Sequence, residues 1–284
     1  MSIARLAASL LTALLLSGCA PPVAEKLAEA TRPIVVQGAM PVETQALVSA
    51  LAGGTEVHAQ GWTFWSGTID DYPVVVSKTQ KGMTNAAAAT TLAIERFRPR
   101  AIINQGTAGG HDPGLHVLDI VVGTASLNIG AFKTGRRALG QGTNFDEWHP
   151  MDLIRTEGSA GQDPNAWVMH RFEADPALLA AARAAKPRYT RGRVVDGVIG
   201  SSDVWNSELD RIARLHTEYG TSVEEMETAS AAQVAGMSQV PFIGIRVLSN
   251  NITNDGLYDG ASAAACQQYV LEVVKAYIAQ LRAH

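Results

Sequence analysis

The sequence predicts an α/β fold in which a mixed, mostly parallel central sheet is flanked by helices. After residue 32, apolar runs alternate with segments of helical pattern, and no internal repeat or low-complexity linker interrupts them. Strands that are apolar along their whole length are buried on both faces, which is the usual state of parallel strands covered by helices. The length of 284 residues suits one large domain of this class.

Each predicted element rests on a local pattern of residues. Short apolar runs bounded by glycine, proline or polar residues predict strands, at 33–38, 61–69, 72–78, 101–105, 119–125, 192–201 and 241–249. Longer alanine-rich or amphipathic stretches predict helices, at 42–51, 84–97, 176–185, 222–238 and 261–282. Residues 126–172 are rich in Gly, Asn, Asp and Pro, so we predict a long excursion over the sheet edge, of the kind that forms lids and binding loops.

The N-terminus has the layout of a bacterial lipoprotein signal. Arg5 precedes an apolar run too short for a comfortable membrane span, and the small residues Ser17 and Gly18 then lead to Cys19. This arrangement resembles the lipobox, whose cysteine is lipidated and becomes the mature N-terminus; the alternative is a plain signal peptide with an incidental cysteine. We therefore expect a signal peptide at 1–18, a tether at 19–32 after lipidated Cys19, and a domain at 33–284.

The residue after this cysteine bears on location. It is Ala20 rather than aspartate, which in lipoproteins of this type indicates the outer membrane. The protein is thus expected on the periplasmic face of the cell envelope, touching the membrane only through its lipid. The remaining cysteine, Cys266, then has no intramolecular partner for a disulfide and is expected to be a small buried side chain.

The composition excludes several classes of partner. The net charge is −4, with 46% hydrophobic and 18% charged residues, so the chain has no basic footprint for a nucleic acid polymer. The seven histidines form no i,i+4 pair on a predicted helix, and GTAGGH lacks the GxGxxG spacing of dinucleotide-binding turns. We therefore expect no metal ion and no cofactor. His111 and His116 flank a Pro-Gly turn, and we expect both at the surface.

Polar residues follow several predicted strands at the point where each strand ends. The segments are GAMPVE, QGTAGG, SSDVW and NNITNDG. In covered sheets of this type, ligands bind beyond the carboxyl ends of the strands. The convergence of Gly, Ser, Thr, Asn and Asp from distant parts of the chain predicts one site for a small polar ligand, whereas QGTAGG alone is also compatible with a simple tight turn.

Three segments resemble the nucleoside phosphorylase and nucleosidase superfamily, and within it the 5′-methylthioadenosine/S-adenosylhomocysteine nucleosidases. They read INQGTAGGHDPGLHVLDIVVG, VEEMETASAAQVAGMSQVPFIGIRVLS and GAMPVE. The resemblance runs from about residue 33 to 282 and is poor over 126–172. It implies a three-layer α/β fold, a purine nucleoside as the small-molecule partner, and a homodimer.

The resemblance places Glu43 on the glutamate that activates the hydrolytic water. A carboxylate there accepts a proton from water attacking the ribose C1′ and stabilises an oxocarbenium-like sugar. Thr107, with the backbone amides of Ala108 and Gly109, would lie near the water and the sugar, because glycine lets the backbone approach closely. Taken alone, Glu43 is also compatible with a first-turn glutamate favoured by the helix dipole.

Residues for the sugar and the base follow from the same resemblance. Glu227 falls on the glutamate that accepts hydrogen bonds from both ribose hydroxyls, in a motif shared with Glu225 and Met226, the latter packing against the sugar. The alternative is that these acids, with Glu224, form a solvated helix start. The remaining matches are Trp205 stacking on the purine, Asn206 offering main-chain groups to the base edge, and Tyr258 capping the 5′ substituent. Trp205 also suits a core position.

The sequence differs from its relatives at positions that bear on the nucleophile and on the leaving group. Phosphorylase relatives carry arginines near two strand ends where this chain has Asn104-Gln105 and Met40-Pro41, so no arginine binds phosphate and water is the expected nucleophile. Asn250 stands where the family has the aspartate that protonates purine N7, and an amide donates a hydrogen bond but no proton. Three interpretations remain: the substrate is a 6-oxopurine nucleoside, Asp255 takes over, or nucleosides bind with little turnover.

The sequence therefore predicts a purine nucleosidase with Glu43 and Asn250 as its catalytic residues. The substrate is a methylthioadenosine- or S-adenosylhomocysteine-like nucleoside, or a 6-oxopurine nucleoside. Two alternatives belong to other classes. One is a non-catalytic nucleoside- or purine-binding envelope lipoprotein, and the other is a phosphate-dependent nucleoside phosphorylase.

Overall fold

A ten-stranded sheet forms the centre of the part of the chain that the structure describes. The structure is a computed structural model, and it describes residues 32–142, 144–154 and 168–283. The predicted signal peptide, Cys19 and the tether up to Thr31 lie outside these residues, as does part of the 126–172 excursion. No helix within the described residues is both long and apolar enough to cross a membrane.

The elements alternate along the chain as the sequence predicts. The strands are β1 (Ile34–Gly38), β2 (Ala52–Ala59), β3 (Trp62–Ile69), β4 (Tyr72–Lys78), β5 (Ala101–Gly110), β6 (Ile120–Asn128), β7 (Phe132–Lys133), β8 (His149–Pro150), β9 (Arg171–Glu173), β10 (Val194–Ser201), β11 (Thr221–Glu225) and β12 (Phe242–Asn250). The helices are α1 (Pro41–Ala50), α2 (Met83–Phe97), α3 (Pro176–Ala185), α4 (Leu209–Tyr219), α5 (Thr228–Met237) and α6 (Ser262–Ala283).

The sheet is mixed and contains two blocks of parallel strands. Its order is β2-β3-β4-β1-β5-β12-β6-β10-β11, with β9 beside β6. The β4-β1-β5-β12 and β6-β10-β11 pairings are parallel, whereas β2, β3 and β9 pair antiparallel at the periphery and β12 meets β6 antiparallel. β11 also pairs antiparallel with the end of β5. The predicted fold class is confirmed.

Helices cover both faces of the sheet, as β1 illustrates. Ile34 and Val36 pack into a core with residues of α1, α3 and α6, while Val35 packs on the opposite face with α2 and α5. Successive side chains of a strand point to opposite faces, so the consecutive apolar residues of β1 contribute to two cores. Cys266 of α6 lies in the first core, where burial raises the pKa of its thiol to about 12 and keeps it protonated.

The structure corrects three local predictions. QGTAGG is the second half of β5 rather than a turn, and a Cβ on Gly110 would lie 2.7 Å from Leu248 Cδ1, so glycine serves close strand packing there. Residues 222–238 divide into β11 and α5, since the glutamates at 224, 225 and 227 are buried rather than solvated. β2 and α4 were not predicted.

The described part of the 126–172 excursion packs beside α4. The short strands β7 and β8 pair with each other, and Phe132, Phe145 and Trp148 form an aromatic cluster next to them. Arg214 of α4 donates a hydrogen bond to the Phe145 carbonyl and lies 5.0 Å from the Phe145 ring centroid. This segment therefore packs into an apolar cluster that it shares with Leu215 of α4 and Val198 of β10.

Candidate active site

A cavity of about 270 Å³ opens at the carboxyl ends of the central strands. Every residue that the sequence analysis assigned to the site lines it: Glu43, Thr107, Ala108, Gly109, Trp205, Asn206, Glu225, Met226, Glu227, Asn250 and Tyr258. Residues not predicted for the site also line it: Ala39, Met40, Lys81, Val204, Glu224 and Ser249. The structure thus brings all the predicted positions together, while their individual roles remain predictions.

Glu43 is held rigidly in the first turn of α1. The residue is 3% exposed, and its Oε2 accepts hydrogen bonds from the N–H groups of Ala39 and Met40 at 3.0 and 3.1 Å. Its Oε1 accepts from the Thr107 N–H at 2.8 Å and from Thr107 Oγ1 at 3.0 Å. The carboxylate therefore bridges the ends of β1 and β5, and the first-turn interpretation and the site interpretation describe the same geometry.

A glycine in β5 makes room for this carboxylate. A Cβ at Gly106 would lie 2.7 Å from Glu43 Oε1, closer than real Cβ contacts allow. Gly106 and Gly110 of QGTAGG are thus explained by the close approach of other groups, and Gly106 lets Glu43 lie directly against the strand.

Glu225 is engaged by protein donors although it lines the cavity. Arg246, which is 1% exposed, donates from Nε to Glu225 Oε2 at 3.0 Å, and the Thr228 and Glu227 N–H groups donate to the same oxygen at 3.0 Å. The Ser201 hydroxyl donates to Oε1. Burial opposes ionisation, but the Arg246 guanidinium and these hydrogen bonds hold the pKa of Glu225 below its usual value. Glu225 therefore fixes the β11–α5 junction.

Glu227 has more capacity left for a ligand. Its Oε1 accepts one hydrogen bond, from the Gly82 N–H at 2.9 Å, and its Oε2 lies 3.9 Å from Arg246 Nη2. Burial, and then the charge of Glu225, raise the pKa of Glu227 to about 8. Donors supplied by a ligand stabilise the ionised form of such a carboxyl, so hydroxyl groups binding here would be coupled to loss of its proton.

Two aromatic residues form the rim of the cavity. Trp205 is 66% exposed, so it is not a core tryptophan, and its ring lies 6.1 Å from that of Tyr258 in an edge-on arrangement. Both side chains have an apolar face available to a flat ligand.

The Asn250 amide lies at the end of β12. Ser249 Oγ is 2.8 Å from Asn250 Oδ1 and 3.1 Å from the Ala108 carbonyl oxygen. Asp255, the alternative acid considered from sequence, is exposed and lines a neighbouring cavity instead. The structure therefore brings Asn250, and not Asp255, into the cavity of Glu43.

Glu224 lines the cavity beside Asn206, and the His111 side chain lies next to it. Glu224 Oε2 accepts a hydrogen bond from Asn206 Nδ2 at 3.4 Å and lies 3.0 Å from His111 Nε2, at an angle poorer than that of an aligned hydrogen bond. His111 is 4% exposed, so its predicted surface position is wrong. The reason is that β5 extends to Gly110 and carries the next residue inward, where His111 Nδ1 lies 2.7 Å from Thr221 Oγ1.

Comparison with known proteins agrees with this architecture. The model of the phosphorylase superfamily matches residues 33–279. This chain belongs to that superfamily. A 5′-methylthioadenosine/S-adenosylhomocysteine nucleosidase of Anoxybacillus flavithermus is 33% identical over 218 residues, covering 76% of this chain and 84% of the relative.

Solved structures of nucleosidases in this superfamily share the fold. The Neisseria meningitidis nucleosidase in complex with methylthio-immucillin-A gives a TM-score of 0.70 at 26% identity, covering 86% of this chain and 99% of its own. The Colwellia psychrerythraea nucleosidase in complex with adenine gives a TM-score of 0.69 at 26% identity, covering 87% and 96%. The curated and structural relatives are thus hydrolytic enzymes that act on purine nucleosides.

Few cationic side chains are placed to bind a phosphate ion in the described part of the cavity. Lys81 is the one cationic side chain among the described residues that line it. Arg246 is buried behind the wall and is bonded to Glu225 and to the Asn104 carbonyl oxygen. No group of His, Cys, Asp and Glu side chains in the described residues is arranged to hold a metal ion.

Proposed function

We propose that this protein hydrolyses the N-ribosidic bond of a purine nucleoside and releases the free base. The proposal rests chiefly on the fixed position of Glu43, whose carboxylate is oriented by four hydrogen bonds at the edge of a cavity that also contains Glu227. A preorganised carboxylate beside a second carboxyl is the arrangement that sugar-bond hydrolysis requires.

The reaction assigns a separate task to each carboxyl. Glu227 accepts hydrogen bonds from the ribose hydroxyls and fixes the sugar. Glu43 accepts a proton from a water molecule whose oxygen bonds to C1′. The C1′–N9 bond breaks with its electron pair passing to the base, and the positive charge that develops on the sugar lies near the Glu43 carboxylate. Trp205 at the rim stacks on the base.

Water is favoured over phosphate as the nucleophile. Phosphate binding in proteins usually draws on arginine in a bidentate geometry, and Arg246 is committed to Glu225. Lys81, the single cation among the described residues that line the cavity, gives phosphate a weaker hold than a pair of arginines would. A non-catalytic binding protein would not need Glu43 to be held by four donors.

The experiment that tests this function is a substrate panel. The purified protein is incubated with methylthioadenosine, S-adenosylhomocysteine, adenosine and inosine, each with and without phosphate, and free base is measured over time. We expect base release at a rate that phosphate does not change. Strict dependence on phosphate would instead establish a phosphorylase, and tight binding of a nucleoside without release would establish a binding protein.

The same substrate panel shows which purine base is preferred, and we expect this preference to depend on Asn250. The Ser249 hydroxyl has one proton and two acceptors near it, the Ala108 carbonyl and the Asn250 amide. If the hydroxyl donates to Asn250 Oδ1, the amide N–H group faces the base and suits the O6 of a 6-oxopurine. If it donates to Ala108, the amide can turn, and Oδ1 then accepts from the 6-amino group of adenine.

We further propose a lipid-anchored homodimer on the cell envelope. The Ser-Gly-Cys sequence ending at Cys19 supports the anchor. Exposed apolar side chains near the cavity support a second subunit, because such a cluster suits an interface better than solvent; they are Val204, Trp205, Leu209, Ile252, Leu257 and Tyr258.

One variant tests both parts of this proposal. Cys19→Ser is expected to move the protein from the membrane fraction to the soluble fraction, because the acceptor of the lipid is lost. Light scattering on the soluble variant is expected to give twice the mass that mass spectrometry gives for one of its chains. An unchanged membrane fraction, with no lipid mass on the N-terminal peptide, would contradict the anchor, and a monomer would contradict the dimer.

A further inference from the structure

We propose that Glu224 donates the proton that the leaving base needs, and that His111 is the residue that positions it. The inference rests on the proposed hydrolysis, and it answers how base departure is assisted when Asn250 has no proton to give. Glu224 is 8% exposed and lines the cavity of Glu43. From sequence, Glu224 was considered only as part of an alternative, a solvated helix start, and was assigned no role in the reaction.

The register of the sheet places Glu224 and Asn250 on either side of Gly109. Gly109 of β5 pairs with Glu224 of β11 on one side and with Asn250 of β12 on the other. Paired residues on neighbouring strands project to the same face of a sheet, so the carboxyl and the amide flank Gly109. Two strand spacings separate their backbones by about 9–10 Å. Since Gly109 has no side chain, the edge of a flat base can enter between them.

The polar contacts of Glu224 leave one oxygen for the ligand. The contacts with Asn206 and His111 are both made by Oε2, and Oε1 has no hydrogen-bond partner among the described residues. The His111 ring is fixed from its other side by Thr221, whose Oγ1 lies 2.7 Å from Nδ1. The His111 ring is therefore held beside the Glu224 carboxyl, whose Oε1 is left for the base.

The proton balance of the reaction then closes without Asn250. The C1′–N9 electron pair passes into the base, and the Glu224 proton passes to a ring nitrogen, so that the base leaves neutral. The water oxygen bonds to C1′, and Glu43 receives the water proton. Afterwards Glu43 loses a proton to solvent, and the His111–Glu224 pair regains one. A neighbouring cavity of about 750 Å³, which is lined by His111 and Glu224, gives water access to the pair.

The test compares two leaving groups on the full-length protein. Glu224→Gln is assayed with the best nucleoside of the panel and with 4-nitrophenyl riboside, whose leaving group departs as a stable anion and needs no proton. We expect purine release to fall by about 10²–10⁴-fold and nitrophenol release to stay unchanged. His111→Leu is expected to reduce purine release with the same selectivity, which a merely structural role would not produce.

Asp255→Asn provides the matched control. It removes a carboxyl from the neighbouring cavity and should change neither rate. The inference is overturned if Glu224→Gln leaves purine release unchanged, if both substrates decline in the same proportion, or if Asp255→Asn alone gives the selective loss. If the unaltered protein releases neither purine nor nitrophenol, the proposed hydrolysis itself is wrong, and this result is separate from the others.

Discussion

Glu43→Gln is expected to lower base release by about 10³-fold or more while nucleoside binding is retained. The amide cannot accept a proton from water, and it carries no charge to stabilise the cationic sugar. The rate is measured as free base formed in a single turnover, and binding by calorimetry with the same nucleoside. The pair of measurements separates loss of the chemical step from loss of the site.

The local geometry makes the control for this prediction important. Both oxygens of Glu43 face donors, so the amide nitrogen of glutamine must meet an N–H or hydroxyl group in either orientation. A buried mismatch of this kind costs about 1–3 kcal/mol of folding free energy. The variant's thermal midpoint is therefore compared with that of Glu95→Gln, the same change at an exposed helix position. A folded Glu43→Gln protein with an undiminished rate would contradict the proposed role of Glu43.

Much of the fold was predictable because it depends on local patterns. Ile34, Val35 and Val36 are three consecutive apolar residues of β1, and a strand with such a run must be covered on both faces. The site was predictable in outline for a related reason. The carboxyl ends of parallel strands lie at the same edge of a sheet, so the polar residues that follow them come close together even when they are distant in the chain.

The predictions from sequence were wrong where a residue distant in the chain changes the structure that a local segment prefers. Residues 222–238 were predicted as one helix, but Glu225 ends β11 and is buried, because Arg246 Nε donates a hydrogen bond to its Oε2 at 3.0 Å. Likewise, the glycines after Gln105 indicate a turn, although Gly106 and Gly110 let Glu43 and Leu248 lie against β5. His111 was misplaced because its inward position depends on that extension of the strand. Each of these partners is too distant in the sequence to be included in a short window of residues.

Asn250→Asp is expected to have opposite effects on the two candidate substrate classes. For an adenine nucleoside, the new carboxyl adds a second proton donor beside the base, and the rate should rise. For a 6-oxopurine nucleoside, a carboxylate replaces an amide N–H group next to O6 and repels it, so the rate should fall. Both rates are measured under saturating nucleoside, so that the comparison reports the chemical step rather than binding.

The same substitution gives its largest effect when Glu224 is also changed. If Glu224→Gln has removed the proton donor, then adding Asn250→Asp should restore adenine release by on the order of 10²-fold, because the two side chains flank Gly109 and reach the same base. The gain should be much smaller when Glu224 is intact, and the difference between the two gains measures how far the residues share one task. Equal gains in both backgrounds would show that Glu224 does not supply the proton. No change in any background would show that Asn250 does not contact the base, although it lines the cavity.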